Sequence, residues 1–217
     1  MTDHCILERN HMMKPKITIL FGSPRHKGYT KLLLEGFFNQ IDMNAYDLTI
    51  LNCYQLQISP CIDCKKCTTG SCPFNQTDDL KLIIQEISSA DYVILATPIY
   101  FAGYPAPLKA VIDRFQQFFQ NPSLRQQTFS STKQCFLFFT AGDTDPKIHH
   151  GIKTTANLFF RCINSTLTDT LILEHTDILP PAERQSIPMD YENIVNYFEK
   201  SHHLVENQTK QVYNQIK

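Results

Sequence analysis

The sequence has almost no net charge and no long apolar run. Its 217 residues include 20 Lys and Arg against 21 Asp and Glu. A chain without a dominant charge has no overall field that would attract nucleic acid or an anionic membrane surface. The longest uncharged stretch, Tyr92 to Leu108, contains three prolines and is shorter than the roughly 20 apolar residues of a membrane-spanning helix. We therefore expect no nucleic-acid partner and no membrane segment.

A secretory signal is also missing, because the N-terminal stretch MTDHCILERNHMMKPK is polar and charged where a signal would be apolar. The chain has eight cysteines, but four of them lie in one short segment instead of at disulfide-like spacings. We expect a cytoplasmic protein whose cysteines are reduced thiols or metal ligands. Residues 1–15 form a polar N-terminal arm, and residues 16–217 have the length of one domain.

Several catalytic motifs of α/β proteins do not occur. The sequence contains no G-x-S-x-G nucleophile turn, no H-E-x-x-H metal pair and no C-x5-R phosphatase loop. It also lacks the G-x-x-x-x-G-K-[ST] and G-x-G-x-x-G loops of nucleoside triphosphate and dinucleotide sites. The absence of acid-base machinery is typical of an enzyme whose cofactor carries the chemistry.

Short apolar strands alternate with amphipathic helices along the chain. This order predicts a three-layer α/β/α fold in which a five-stranded parallel sheet lies between two layers of helices. Ligands of such sheets bind outside the carboxyl ends of the strands. The loops after the first, third and fourth strands are therefore the candidate site. The predicted strands are 16–21, 46–51, 92–97, 134–139 and 166–173, and the predicted helices are 30–40, 78–89, 107–119, 150–162 and 191–206.

The first of these loops, Gly22 to Thr30, joins a buried strand to the start of a helix. It offers backbone N–H groups, two hydroxyls and cations, which are the parts of a phosphate site. A single phosphate fits better than a triphosphate because the nucleotide motifs are missing. The alternative is a tight turn in which Thr30 caps the helix and Arg25 is solvated.

Three aromatic residues follow the third strand, and small residues follow the fourth. Tyr100, Phe101 and Tyr104 either line a site for a flat heterocycle or pack under the next helix. The loop from Phe139 to Thr144 lets a ligand approach the backbone closely, and its Asp143 is expected to be a solvated turn residue.

Four cysteines, Cys61, Cys64, Cys67 and Cys72, form a C-x2-C-x2-C-x4-C segment in a loop spanning about 53–77. Two successive x2 gaps are typical of loops that wrap an iron–sulfur cluster. A loop of reduced thiols is the second possibility, and zinc, which favours two separated cysteine pairs, is the third. We expect Cys135 and Cys162 to be core residues.

Three motifs, in their order along the chain, resemble those of the NADPH-dependent FMN reductase family of flavodoxin-like proteins. These motifs are GSPRHKGYT after the first strand, TPIYF with PAPLKAVIDRF after the third, and the cysteine segment before Asp78 and Asp79. The resemblance implies a flavodoxin-like fold, bound FMN and NAD(P)H as electron donor. It implies that the phosphate is held by Ser23, Pro24, Arg25, Gly28, Tyr29 and Thr30, and that the flavin ring is bordered by Pro98, Ile99, Tyr100, Phe101, Thr140, Ala141 and Gly142.

Tyr29 departs from the family, whose members often have Asn there, so only its backbone N–H is expected at the phosphate. The resemblance implies a homodimer or homotetramer that reduces a quinone, nitro or azo compound, or another electron carrier. The cysteine spacing is similar to that of the iron–sulfur flavoprotein branch, in which a four-iron four-sulfur cluster relays electrons from ferredoxin to FMN. A regulatory protein without enzyme activity on the same frame is a further alternative.

Overall fold

The computed structural model of the chain describes residues 14–142, 144–179 and 189–199. Five strands form one sheet in which every pairing is parallel. They are β1 (Lys16–Phe21), β2 (Asp47–Asn52), β3 (Tyr92–Pro98), β4 (Gln134–Thr140) and β5 (Leu167–Leu173). The predicted five-stranded parallel sheet and flavodoxin-like α/β fold are confirmed, and every strand lies within one residue of its predicted bounds.

The strand order is β2-β1-β3-β4-β5. Strand β2 therefore lies on one side of β1, and β3, β4 and β5 lie on the other. This arrangement places a topological switch point between β1 and β3, the position at which sheets of this type bind their ligands. The register aligns the carboxyl ends, because Phe21 lies beside Asn52 and Ala96, while Pro98 lies beside Thr140. The loops after the first four strands therefore all leave the sheet at the carboxyl ends of its strands, which we call the carboxyl edge of the sheet.

The helices are α1 (Tyr29–Phe38), α2 (Leu80–Ser88), α3 (Ala106–Arg114), α4 (Gln116–Gln120), α5 (Pro122–Thr128), α6 (Pro146–Arg161) and α7 (192–199). No helix in the described ranges is long and apolar enough to cross a membrane. The predicted 191–206 helix is seen over 192–199, and its remainder lies outside the described residues, as does most of the N-terminal arm.

The prediction of one helix from Pro107 to Phe119 is wrong. The helix breaks at Phe115, whose N–H is shared between the carbonyl groups of Val111 and Ile112. The break turns Phe115 and Phe118 into the core, where their ring centroids are 5.3 Å apart. Burying these two rings on one side leaves the polar side chains of α3 and α4 facing the cysteine loop.

Helix α5 was not predicted, although its start carries a readable signal. The side chain of Asn121 accepts a hydrogen bond from the backbone N–H of Leu124 at 3.0 Å, and Pro122 occupies the first turn. Asparagine as N-cap followed by proline is a common helix start.

Apolar clusters cover both faces of the sheet. Helices α2, α3, α4 and α6 pack on one face, and α1 and α7 pack on the other. On the second face, the ring of Phe198 stacks on Tyr92 with centroids 4.3 Å apart and is fully buried. Burying such a ring contributes roughly 1.5 to 3 kcal/mol. Helix α7 therefore belongs to the domain and completes its third layer.

Candidate functional site

The loop after β1 is packed tightly against β3 and α3. The N–H of Gly22 donates to the carbonyl of Ala96 at 2.8 Å. A Cβ at Gly22 would lie only 2.6 Å from Cδ2 of Leu108, so glycine permits this close approach. Ser23 is buried, and its Oγ accepts a hydrogen bond from the N–H of Arg25 at 3.2 Å. The Ser23 hydroxyl still has its own proton to donate to a ligand.

Helix α1 begins at this loop with an open N-terminus. Its N-cap is Gly28, no side chain caps it, and its first turn contains no acidic residue. The alternative in which Thr30 caps the helix is therefore wrong. The positive end of the helix dipole, with the first-turn N–H groups, is the kind of site that binds phosphate. Arg25 is exposed beside it.

Thr30 and Thr140 join α1 to the end of β4. Both side chains are buried, and their hydroxyl oxygens are 3.2 Å apart. Each hydroxyl has one proton and two lone pairs, so this contact leaves hydrogen-bonding capacity for a ligand. The first and third candidate loops are thus in direct contact.

The side chain of Tyr29 does not lie with the other residues of the β1 loop. Its phenol donates a hydrogen bond to the carbonyl of Leu179 at 2.8 Å, beyond the end of β5. Only the backbone of Tyr29 lies at the start of α1, and a contact of its N–H with the phosphate stays a prediction.

The loop after β3 presents an exposed ring. Tyr100 and Gly103 exchange two backbone hydrogen bonds of 3.0 and 2.9 Å. Between them, Phe101 and Ala102 have left-handed backbone angles, with φ of 48° and 57°. The Phe101 side chain is fully exposed, so its assignment to packing under the next helix is excluded. Tyr104 is a core residue instead, since its buried phenol donates to the carbonyl of Ile152 at 2.7 Å.

The loops after β3, β4 and β5 are fastened to one another. The N–H of Ile99 donates to the carbonyl of Thr140 at 2.9 Å. The N–H of Ala141 donates to Leu173 at 2.9 Å, and its carbonyl accepts from Thr176 at 3.0 Å. The backbone N–H and carbonyl of Ala141 are therefore already hydrogen-bonded, and a ligand would meet this residue mainly through van der Waals contact.

Asp177 lies beside the candidate site, although the sequence analysis did not identify it. A Cβ at Gly142 would lie 2.0 Å from the Asp177 Oδ2, so the carboxylate sits directly against Gly142. No local motif marks Asp177, because only the fold of the segment after β5 brings it there. Asp143 lies outside the described residues.

The cysteine loop leaves the same edge of the sheet, where the N–H of Cys53 donates to the carbonyl of Phe21 at 2.9 Å. Asp63 and Lys65 have left-handed φ values of 51° and 59°, which turn the chain sharply. As a result, all four predicted ligands border one hollow, the cysteine hollow, which is lined by Cys61, Cys64, Cys67, Cys72, Phe74, Arg114 and Gln117, among others.

The four thiols are close enough to influence one another. Burial raises the pKa of the Cys67 thiol, and the Cys72, Cys61 and Cys64 thiols raise this pKa further. No three His, Cys, Asp or Glu side chains among the described residues are already placed to hold a metal ion. Four thiols are nevertheless the kind of ligand that an iron–sulfur cluster takes. Because Cys61 and Cys64 are exposed, the segment that carries them would have to close around a cluster.

A buried polar network anchors this loop to α2, α3 and α4. Arg114 donates to Asp78 Oδ2 at 2.5 Å, to the Ser59 carbonyl at 2.8 Å and to Asn75 Oδ1 at 3.1 Å. Gln117 Oε1 accepts hydrogen bonds from the Cys72 N–H at 3.1 Å and from Asn75 at 2.8 Å. No local pattern distinguishes Arg114 or Gln117 from ordinary polar residues of a helix.

The cysteines outside this loop have a different environment. Burial raises the pKa of the Cys135 thiol to about 12 and that of the Cys162 thiol to about 11. Both are buried in the core cluster. Their assignment as core residues is confirmed, and they stay protonated and poorly reactive near neutral pH.

Comparison with known proteins agrees with this architecture. An iron–sulfur flavoprotein of Methanocaldococcus jannaschii is 29% identical over 157 residues, covering 63% of this chain and 80% of the relative. The protein YwqN of Bacillus subtilis, assigned as an NAD(P)H-dependent FMN-containing oxidoreductase, is 32% identical over 136 residues, or 61% of this chain and 70% of YwqN.

The NAD(P)H:quinone oxidoreductase of Methanothermobacter marburgensis has a similar fold, with a TM-score of 0.58, 15% identity, and coverage of 80% of this chain and 89% of the other. The sequence model of the family described as NADPH-dependent FMN reductase matches residues 15–141. That range contains the loops after β1 and β3 and the start of the loop after β4, as far as Ala141. The chain therefore belongs to the NADPH-dependent FMN reductase family and is an oxidoreductase of that type.

Proposed function

We propose that the protein binds FMN at the carboxyl edge of its sheet and uses NAD(P)H to reduce a quinone, nitro or azo compound, or another electron carrier. The observation that carries this proposal is the convergence of the loops after β1, β3 and β4 on the open N-terminus of α1. Bound FMN would supply the redox chemistry: the two electrons and one proton of a hydride from NAD(P)H would pass through it to a quinone-type acceptor, and solvent would supply the second proton.

Residues of the β1 loop would hold the phosphate. The hydroxyl of Ser23 and the N–H groups at the start of α1 are donors, and Arg25 adds a positive charge. Charge-assisted hydrogen bonds of this type are about twice as strong as neutral ones. The full proposed phosphate set is Ser23, Pro24, Arg25, Gly28, Tyr29 through its backbone, and Thr30.

Residues of the other two loops would orient the ring. The bond from Ile99 to Thr140 fixes these two loops relative to each other, and the bond from Ala141 to Leu173 fixes the loop after β4 to β5, so the loops can position a planar group without rearranging. The exposed ring of Phe101 provides apolar surface that excludes water from one side. The full proposed ring set is Pro98, Ile99, Tyr100, Phe101, Thr140, Ala141 and Gly142.

Anaerobic reduction tests the proposal directly. Protein loaded with FMN and freed of excess flavin is mixed with NADPH, and separately with NADH, and the visible flavin absorbance is followed. Bleaching, and its return when a quinone is added, is expected. Protein that takes up no flavin would favour the regulatory alternative, and bound flavin that stays yellow with both nicotinamides would contradict the reductase proposal.

A paired set of variants tests the phosphate assignment. Arg25→Ala removes an exposed cation from the loop and is expected to weaken FMN binding about tenfold, the lower end for a charge-assisted bond. Lys31→Ala, which removes a cation paired with Glu35 at 3.6 Å on α1, is the matched control and should bind FMN normally. Equal affinities for both variants would remove Arg25 from the site.

A second candidate function is electron relay through an iron–sulfur cluster on Cys61, Cys64, Cys67 and Cys72, with ferredoxin as the donor. The specific observation in its favour is that all four thiols border one hollow. Iron and sulfide content after anaerobic loading tests it, with Cys67→Ser expected to lose iron and the core variant Cys162→Ala expected to keep it. Wild-type protein that retains no iron would contradict this function.

Assembly and location are further parts of the proposal. A ring as exposed as Phe101 at the site suggests that a second subunit covers the flavin, so we expect a homodimer or homotetramer. Light scattering that gives a monomer mass at working concentration would refute this expectation. We place the protein in the cytoplasm, where NAD(P)H is available and thiols such as those of the loop stay reduced.

A further inference from the structure

Arg114 has unusual surroundings for a cation. Its side chain is 1% exposed, and charged side chains are almost never fully buried unless they are paired. Asp78, 4% exposed, supplies the compensating charge at 2.5 Å. The ring of Phe74 covers one face of the guanidinium, 5.3 Å from ring centroid to Cζ.

One donor of this guanidinium is left over. The two terminal nitrogens reach Asp78, Ser59 and Asn75. The Nε–H is buried and has no hydrogen-bond partner among the described residues. An unsatisfied buried donor of a charged group is costly, and native proteins rarely leave one without a purpose.

The orphaned donor belongs to a side chain that borders the cysteine hollow, together with all four loop cysteines. If the thiols were deprotonated around a ligand, their sulfurs would become negatively charged acceptors in this hollow. A thiolate-rich ligand set is negatively charged, and a cation that donates a hydrogen bond stabilises such a set.

We propose that Arg114 is a positioning residue of the cysteine hollow, and that its Nε–H donates a hydrogen bond to a sulfur of an iron–sulfur cluster held there. The inference rests on the second candidate function. Asp78, Ser59 and Asn75 hold the two terminal nitrogens of the guanidinium in place, so the Nε–H is the donor left to meet a sulfur when the exposed Cys61–Cys64 segment closes around the cluster.

The hydrogen bond would act on the reduction potential. Hydrogen bonds to the sulfurs and nearby charge are two of the factors by which a protein sets the potential of a cluster. Reduction adds negative charge, so a cationic donor stabilises the reduced form more than the oxidised form and raises the potential. Removing the donor while keeping the charge should lower it.

Arg114→Lys makes this separation, because lysine keeps the positive charge beside Asp78 but has no Nε–H at that position. Wild type and variant are loaded anaerobically with iron and sulfide, and the reduced cluster is followed by electron paramagnetic resonance during a redox titration. We expect unchanged iron content and a roughly tenfold lower ratio of reduced to oxidised cluster at a fixed potential, which corresponds to about 59 mV for one electron.

The matched control is Lys66→Met, which removes an exposed cation of the same loop. Its effect on the potential should be much smaller, since exposed charges are screened. If Arg114→Lys retains iron and has the wild-type potential, the role of Arg114 is refuted while the cluster stands. If wild type itself takes up no iron, both the cluster and the role of Arg114 are refuted.

A measurement on wild-type protein covers the case in which Arg114→Lys does not fold. With isotopically labelled arginine, a guanidinium nitrogen should show coupling to the electron spin of the reduced cluster in pulsed resonance spectra. A cluster spin with no coupled arginine nitrogen would overturn the proposed hydrogen bond.

Discussion

The hydroxyl pair between Thr30 and Thr140 can be tested by replacing each residue with valine, which has nearly the same shape. The two oxygens are 3.2 Å apart and buried. Removing one partner leaves a buried hydroxyl unsatisfied, so each single variant should lose about 1 to 3 kcal/mol of unfolding free energy without FMN. Replacing both partners by apolar groups of equal size can be nearly neutral, so the double variant should be more stable than the sum of the two losses predicts.

Flavin affinity should respond differently from stability. If the Thr30 hydroxyl also binds the phosphate, the double variant should bind FMN more weakly than wild type, even though most of its unfolding free energy is restored. The loss of one charge-assisted hydrogen bond, about 1.5 to 3 kcal/mol, corresponds to roughly 10- to 150-fold in dissociation constant.

Urea unfolding of the apo proteins and fluorescence titration with FMN measure the two quantities. Thr154→Val is the control, because its hydroxyl donates only to a carbonyl within α6 at 2.8 Å. Additive stability losses in the double variant would refute the coupling of the two hydroxyls. Wild-type FMN affinity in that variant would remove Thr30 from the phosphate site.

Three further predictions concern local features. Ala102→Gly should raise the unfolding free energy by about 1 kcal/mol, because its φ of 57° is strained for any residue with a Cβ; an unchanged urea midpoint would argue against strain. Tyr29→Phe should lower stability by roughly 1 kcal/mol through loss of the bond to Leu179, with FMN affinity unchanged; weaker FMN binding would place the phenol at the ligand. The hydrogen bond from Lys16 lowers the pKa of Glu86 below its usual 4.5, so this pair stabilises the fold above that pH, and its contribution, at most about 1 kcal/mol, is lost as pH falls through the lowered pKa. As pH is lowered, the unfolding free energy of Lys16→Met, measured in urea, should therefore fall less than that of wild type. The same fall in both proteins would contradict the assignment.

The sheet could be predicted from sequence because its strands are dictated by composition. Strands β3 and β4 are apolar along nearly their whole length, as expected for strands covered on both faces, and their bounds followed from that pattern. The break at Phe115 could not be read in this way. Continuous helical spacing runs through that position, and only the three-dimensional demand to bury Phe115 and Phe118 interrupts it.

The residues of the candidate site also fall into two groups, those that local sequence patterns mark and those that they do not. Ser23, Thr30 and Thr140 lie at the ends of strands or the start of a helix, and such positions can be identified from the local sequence pattern. Asp177 and Arg114 reach the loops from distant segments, so local patterns carry no signal for them. Long-range contacts of this kind depend on the whole fold.

Helix α3 runs from the aromatic loop at its first turn to Arg114 at its last. Nine helical residues make a rod about 14 Å long, stiffened by continuous backbone hydrogen bonds and by Leu108 and Val111 in the core. The rod would act as a spacer of constant length between the proposed flavin site and the sulfur-rich loop. Electron transfer between two such centres would then proceed over a path that surface motion cannot stretch.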